Sequence, residues 1–181
     1  MCWLRVTTMK TREQAIREII RRHGRTAVYV ASTGYVSRSV CEVTGDEYEV
    51  FYMQGSMGLA PTIGLGISLN TIRPVVVING DGSLLMALGA THTLRDRAPE
   101  SFFHYVLDNG CHESVGGQPV APLESSYPGV TEIIKVARGF KPPRVSVQPE
   151  QNARRIREFL AQTCHAADWM SLPASARAER P

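Results

Sequence analysis

Hydrophobic positions fall into two kinds of run along the chain. Thr26 to Ala31, Val75-Val76-Val77-Ile78 and Phe102 to Leu107 are short, mainly apolar runs, rich in β-branched or aromatic residues. Each is too short for a helix, which is the pattern of strands buried on both faces. Thr11 to His23 is amphipathic instead: Ala15, Ile16, Ile19 and Ile20 share one face, with Arg and Glu on the other. Thr11 can cap that helix and Gly24 end it. Helices are also predicted from about Val36 to Val43, over Leu59–Leu69, Ser83–Arg95, Val130–Arg138 and Pro149–Gln162. Further short strands are predicted over Tyr48–Met53 and Arg144–Val147. The order predicts an α/β domain over residues 11–162, a parallel sheet flanked by helices. A short leader, 1–10, precedes it, and a small, polar, proline-containing tail, 163–181, reads as disordered.

The middle of that pattern carries chemistry. Pro74 to Gly117 reads as strand, helix, strand, a unit whose crossover is right-handed in nearly all proteins. It sets Asp81 and Asn109, 28 residues apart, at the carboxyl ends of two parallel strands. Neighbouring strands lie about 4.8 Å apart. A carboxylate and an amide oxygen then converge where open α/β sheets bind ligands. Hard oxygen donors without nearby Cys or His ligands favour magnesium or calcium over zinc. Gly80 and Gly82 let backbone approach a phosphate, and a helix beginning near Ser83 points its first amides there. Asp-Gly or Asn-Gly after a strand is by itself also an ordinary turn; the two at helix spacing together suit a magnesium-bound diphosphate. Ser32-Thr33-Gly34, at the end of an earlier strand and before a helix, suits a phosphate too, or is simply a cap.

Composition narrows the field. The net charge of +3 is too mild to argue for nucleic acid, and no basic stretch is interleaved with aromatics. Cys2, Cys41, Cys111 and Cys164 are far apart, with no CxxC, so neither a zinc site nor a disulfide framework is indicated. No apolar stretch reaches membrane-spanning length and no continuous signal-peptide core is present, leaving the cytoplasm as the default compartment. The run Gly110–Pro128 is long, polar and irregular, the kind of loop that is often functional. His112 within it is placed for acid–base work or for a structural hydrogen bond, and Glu113 for loop structure. Nothing marks an activating partner for Cys111 as a nucleophile. Gly58, Gly64 and Gly66 imply close backbone approach, to a ligand or to another element.

GDGSLLMALGA followed by DNG resembles the cofactor motif of thiamine diphosphate enzymes. With LDNGCHESVGGQ, FYMQGSMGLA and STGYVSR, the chain is similar to the phosphonopyruvate decarboxylases, with the sulfopyruvate decarboxylases next, over roughly Thr11 to Phe140. The resemblance implies thiamine diphosphate and Mg2+ as cofactors. Asp81, Asn109 and the backbone carbonyl of Cys111 would hold the metal. Thr33, Gly34, Gly80, Gly82, Ser83 and His112 would lie about the cofactor with Ser56. The carbonyl of Gly55 would accept from the aminopyrimidine, and Met57 would wedge between the two cofactor rings. Leu59-Ala60-Pro61 departs from the His-Ala-Ser type of sequence expected there.

In such enzymes a glutamate on a separate pyrimidine-binding domain activates the cofactor, and these 181 residues hold no such domain. The resemblance therefore implies a β-type subunit that works in a hetero-oligomer with a pyrimidine-binding, α-type partner. Its substrate would be a small 3-substituted pyruvate: phosphonopyruvate first, in phosphonate biosynthesis, and sulfopyruvate second. A non-catalytic cofactor-binding or regulatory subunit is the reading from another class. A nucleotide-binding Rossmann domain is disfavoured because no GxGxxG follows a strand.

Overall fold

The computed structural model describes residues 9–163; residues 1–8 of the leader and 164–181 of the expected disordered tail lie outside the described residues, and Thr163 ends a helix. Five strands form one sheet in the order β2-β1-β3-β4-β5, every pair parallel: β1 Val28–Ala31, β2 Glu49–Tyr52, β3 Val75–Gly80, β4 Phe102–Asp108 and β5 Glu132–Lys135. The helices are α1 Arg12–His23, α2 Tyr35–Thr44, α3 Ala60–Ser68, α4 Asp81–Met86, α5 Ala90–Arg97 and α6 Pro149–Thr163.

Strand alternation divides the core in two. Tyr29, Ala31, Val76 and Ile78 point to one face and pack with Ile16 and Ile19 of α1 and Val40 of α2. Val28, Val30, Val75 and Val77 point to the other and pack with Leu65 of α3, Leu94 of α5 and Ile156 of α6. Both faces are covered, which is why these strands read as continuous apolar runs. Gly64 presses α3 onto the sheet: a methyl there would lie 2.4 Å from Val77 Cγ2. Its role is packing, one of the two readings the glycine spacing left open. At the β2 edge, Asn152 of α6 accepts from Tyr52 N–H (3.2 Å) and donates to Tyr52 O (2.8 Å), so a side chain supplies what a sixth strand would.

α1 is closed as expected, by a capping box of Thr11 and Gln14 and by Gly24 N–H donating to Ile20 O at 2.8 Å. Three expectations need correction. Val130–Arg138 is not a helix: Glu132–Lys135 is the edge strand β5, paired with Tyr105–Asp108. Val130, Ile133, Ile134 and Ala137 mimic a helical stripe, but Ile134 and Val136 are buried while Lys135 between them is exposed, a period of two. Arg144–Val147 is no strand; Val145 and Val147 lie against the α1–α2 side of the core without joining the ladder. Ser83–Arg95 is not one helix: it breaks at Ala87–Gly89, where Gly58 abuts Met86 and Ala87.

The order places β1 between β2 and β3, so the connections leaving β1 and β3 run to opposite sides. A crevice opens there beyond the carboxyl ends of the strands, where open α/β sheets hold their ligands.

Candidate active site

β3 ends in Gly80 and α4 begins at Asp81, so chain direction alone carries the Asp81 carboxylate into the crevice. Asp81 is 5% exposed. Its Oδ1 accepts from Gly82 N–H and its Oδ2 from Gly110 N–H, each at 2.8 Å. Among the described residues no Lys, Arg or His forms an ion pair with it. Burial pushes its carboxyl above the usual range and nearby Asp108 adds to the rise, while the backbone N–H bonds pull it down.

β4 delivers the second group. Asn109 lines the same cleft as Asp81, and its Oδ1 accepts from Cys111 N–H at 3.0 Å, leaving a lone pair. The Cys111 carbonyl accepts from Glu113 N–H at 3.1 Å. Gly110 N–H is shared between Asp81 and Asp108 Oδ1 (3.1 Å), and Asp108 Oδ2 pairs with Lys135 Nζ. No group of three or more His, Cys, Asp or Glu side chains able to hold a metal occurs among the described residues. A cation here would depend on one carboxylate, one amide oxygen and a backbone carbonyl. That all-oxygen set, built on a buried carboxylate with no ion-pair partner among the described residues, fits a hard divalent cation such as Mg2+ or Ca2+.

Three loops are stitched beneath the cleft by one hydroxyl. Ser83 Oγ lies 2.9 Å from Ser32 Oγ and accepts from Gly58 N–H at 3.0 Å. Gly82 sets how closely the walls approach: a methyl there would lie 2.3 Å from His112 Cε1 and 3.3 Å from Met57 Cε. His112 and Met57 thus meet over a backbone with no side chain. Beside them Ser56 adopts φ 55°, a left-handed conformation that a serine rarely takes and that clusters at ligand-holding turns.

Thr33, Met57, Gly80, Asp81, Gly82, Ser83, Asn109, Cys111 and His112 line one open cleft with about 550 Å³ of empty space. Gly34, Gly55 and Ser56, also expected at the site, are not among its lining residues. Gly34 lies beside it, where a methyl would meet Ser114 Oγ at 2.9 Å, while Gly55 and Ser56 are exposed on the turn before Met57. Burial raises the Cys111 thiol, in keeping with the absence of a nucleophile there.

Sequence reasoning missed Arg12, Tyr35 and Glu113 as cleft residues. Arg12 is 3% exposed; its Nη1 donates to Glu113 Oε2 at 2.6 Å and its guanidinium stands 5.4 Å from the Tyr35 ring centre. A signal existed: Arg12 sits four residues before Ile16 and seven before Ile19, on the buried stripe of α1.

Comparison with known proteins accords with this geometry. The family described as thiamine pyrophosphate enzyme, C-terminal TPP binding domain, matches residues 32–166. Phosphonopyruvate decarboxylase of Streptomyces viridochromogenes is 44% identical over 120 residues, 66% of this chain and 30% of that protein. Sulfopyruvate decarboxylase subunit beta of Methanocaldococcus jannaschii is 40% identical over 103 residues, 57% of this chain and 54% of that one. The corresponding subunit of Methanococcus maripaludis is 28% identical over 146 residues, 81% of this chain and 75% of that one. The chain thus spans about a third of the first of these relatives and about half of the second. It belongs to the family of C-terminal thiamine pyrophosphate-binding domains of thiamine pyrophosphate enzymes.

Proposed function

We propose that this chain is the diphosphate-binding subunit of a thiamine diphosphate- and Mg2+-dependent 2-oxo acid decarboxylase, converting phosphonopyruvate to phosphonoacetaldehyde and carbon dioxide. The observation that carries this reading is the buried Asp81 carboxylate, without an ion-pair partner among the described residues, in one cleft with Asn109 and the Cys111 backbone. Asp81, Asn109 and the Cys111 carbonyl would hold Mg2+, and Thr33, Gly34 and the backbone at Gly82 and Ser83 would receive the diphosphate. Bound there, thiamine diphosphate supplies the electron sink that decarboxylation of a 2-oxo acid requires.

The chain's own residues position and shield. The apolar Met57 side chain, held against Gly82, orients the organic part of the cofactor and keeps water from it. The His112 ring, packed on the same glycine, is the acid–base group of the cleft and would hold or release a proton at a ring nitrogen. Ser83 works below the site, fixing the three loops.

The activating glutamate would come from a pyrimidine-binding partner subunit. Leu59, Met86 and Leu88 support a covered face beside the site: they are 46%, 65% and 38% exposed, and Gly58, next to Leu59 in the chain, abuts Met86 and Ala87. Sulfopyruvate is the second reading, favoured by relatives whose names specify a beta subunit. The test combines the full chain with a pyrimidine-binding, α-type subunit, Mg2+ and thiamine diphosphate. Release of carbon dioxide from phosphonopyruvate is expected. Release from sulfopyruvate alone would move the assignment to the second reading, and release from neither would reject the decarboxylase.

A further inference from the structure

The cleft has one wall with few apolar anchors. Residues 114–119 are exposed, and Val115 buries little of its surface. Yet the backbone from Gly110 to Gly117 must be placed well, because the Cys111 carbonyl and the His112 ring depend on it. Local bonds shape it: Cys111 N–H to Asn109 Oδ1, His112 N–H to Gln118 O at 2.8 Å, and Val115 and Gly117 N–H both to His112 O. These bonds define the loop's curl. They do not tie it to the helices behind it.

Glu113 makes that tie. Oε2 accepts from Arg12 Nη1 at 2.6 Å and Oε1 from Gly139 N–H at 2.7 Å. Arg12 is itself held on three sides: Nε donates to Ser39 Oγ of α2 at 2.8 Å, Nη2 donates to Phe140 O at 3.1 Å, and Glu13 Oε1 lies 3.4 Å from Nη2. Ser39 Oγ in turn donates to Glu13 Oε1 at 2.8 Å. The guanidinium and carboxylate are 4% and 10% exposed as side chains. A charge pair this buried, with its other hydrogen-bonding atoms occupied, fixes geometry more than it adds stability.

We propose that the Arg12–Glu113 pair is the positioning element of the donor loop. It locks residues 109–117 to α1 and α2 so that the Asn109 oxygen and the Cys111 carbonyl stand ready for the cation. The proposal rests on the metal-site reading given above. Arg12 and Glu113 act through the loop and are positioning residues. Outer-shell groups of this kind change metal affinity by about 10- to 100-fold when removed.

The test uses the full chain, Glu113→Gln, and the double variant Arg12→Met/Glu113→Leu, which leaves no unpaired guanidinium in the interior. Hydrogen–deuterium exchange is followed without ligand at the amides of Gly110, Cys111, His112, Glu113, Val115 and Gly117, all of which are bonded. The Mg2+ concentration that half-saturates thiamine diphosphate binding is measured in parallel. In the double variant, exchange at these amides is expected to rise at least about tenfold, with the β1 and β3 amides unchanged. The half-saturating Mg2+ concentration is expected to rise about tenfold or more, with Glu113→Gln lying between the double variant and the parent. Loop exchange within about twofold of the parent overturns the proposal. Faster exchange with an unmoved Mg2+ requirement also overturns it, since the pair would then only brace the fold. If the parent itself shows no Mg2+-dependent binding, the metal-site reading fails, while the exchange data still decide whether the pair holds the loop.

Discussion

The two strand ends that meet in the cleft are built in opposite ways. At β3 the strand runs directly into a helix and the junction is buried: Asp81, Gly82, Ser83 and Leu84, the first residues of α4, are inside. At β4 Asn109 and Cys111 sit on an irregular loop whose tip is exposed, and Glu113 in that loop pairs with Arg12 of a helix 101 residues earlier in the chain. The difference teaches where precision comes from. A short turn between packed elements inherits the geometry of the sheet. A long loop must be given a remote anchor, and a charged pair supplies direction that apolar contacts do not.

The largest test of the contrast is Asp81→Ala. Removing the carboxylate should weaken Mg2+-dependent thiamine diphosphate binding by more than about 100-fold. In a thermal-shift assay the Mg2+- and cofactor-dependent rise in Tm should vanish, and the ligand-free chain should stay folded. Retention of that rise would show that the buried turn is not the metal anchor.

His104 lies within β4, beneath both ends. It is fully buried, its Nε2 is 3.3 Å from Asn79 Nδ2, and Asn79 Oδ1 accepts from Gly80 N–H at 3.0 Å. That pattern makes Nε2 the acceptor, a neutral ring. Burial pushes its pKa down to about 4 from 6.5. Between those values the unfolded chain takes up a proton that the folded ring refuses. Stability is therefore fully present above pH 6.5 and falls on acidification, by about 3 kcal/mol across the window. Denaturant titrations from pH 7 to pH 4 should show this slope in the parent and lose it in His104→Leu. An unchanged slope would assign the acid sensitivity elsewhere.

Gly82→Ala sharpens the comparison, because it crowds the short turn against the long loop. The new methyl would collide with His112, and overpacking of this sort costs about 2 kcal/mol. Equilibrium unfolding should show that loss, accompanied by weaker cofactor binding as His112 and Met57 separate. A fully stable variant with parent affinity would mean that the loop yields freely. The smallest effect is expected from Ser56→Gly, which relieves a left-handed serine and should raise stability by up to about 1 kcal/mol. A loss of stability on that change would indicate that the serine side chain holds the turn.

The part of the molecule that was legible in sequence is the part where local pattern and tertiary environment agree. β1, β3 and β4 are buried on both faces and so spell themselves out as apolar runs. Asp81 and Asn109 were legible as strand-end residues because each lies within three residues of the end of such a run. β5 was hidden because an edge strand four residues long, with Glu132 paired to Arg22 and Lys135 to Asp108, carries too few apolar positions to separate a period of two from 3.6. The break between α4 and α5 was hidden because its cause, the Gly58 turn, is distant in sequence. Arg12 stands on the buried stripe of α1, but its partner Glu113 is too far along the chain for spacing to reveal.

On the proposed reading, Asp81, Asn109 and the Cys111 carbonyl grip a divalent cation that in turn grips a diphosphate. Calorimetric titration of thiamine diphosphate into the full chain, in Mg2+ and again in excess EDTA, tests it most directly. Saturable one-site binding is expected in Mg2+, with no detectable heat in EDTA and no binding of thiamine lacking the diphosphate in either buffer. Binding of equal strength in EDTA, or of thiamine and its diphosphate alike, would contradict it.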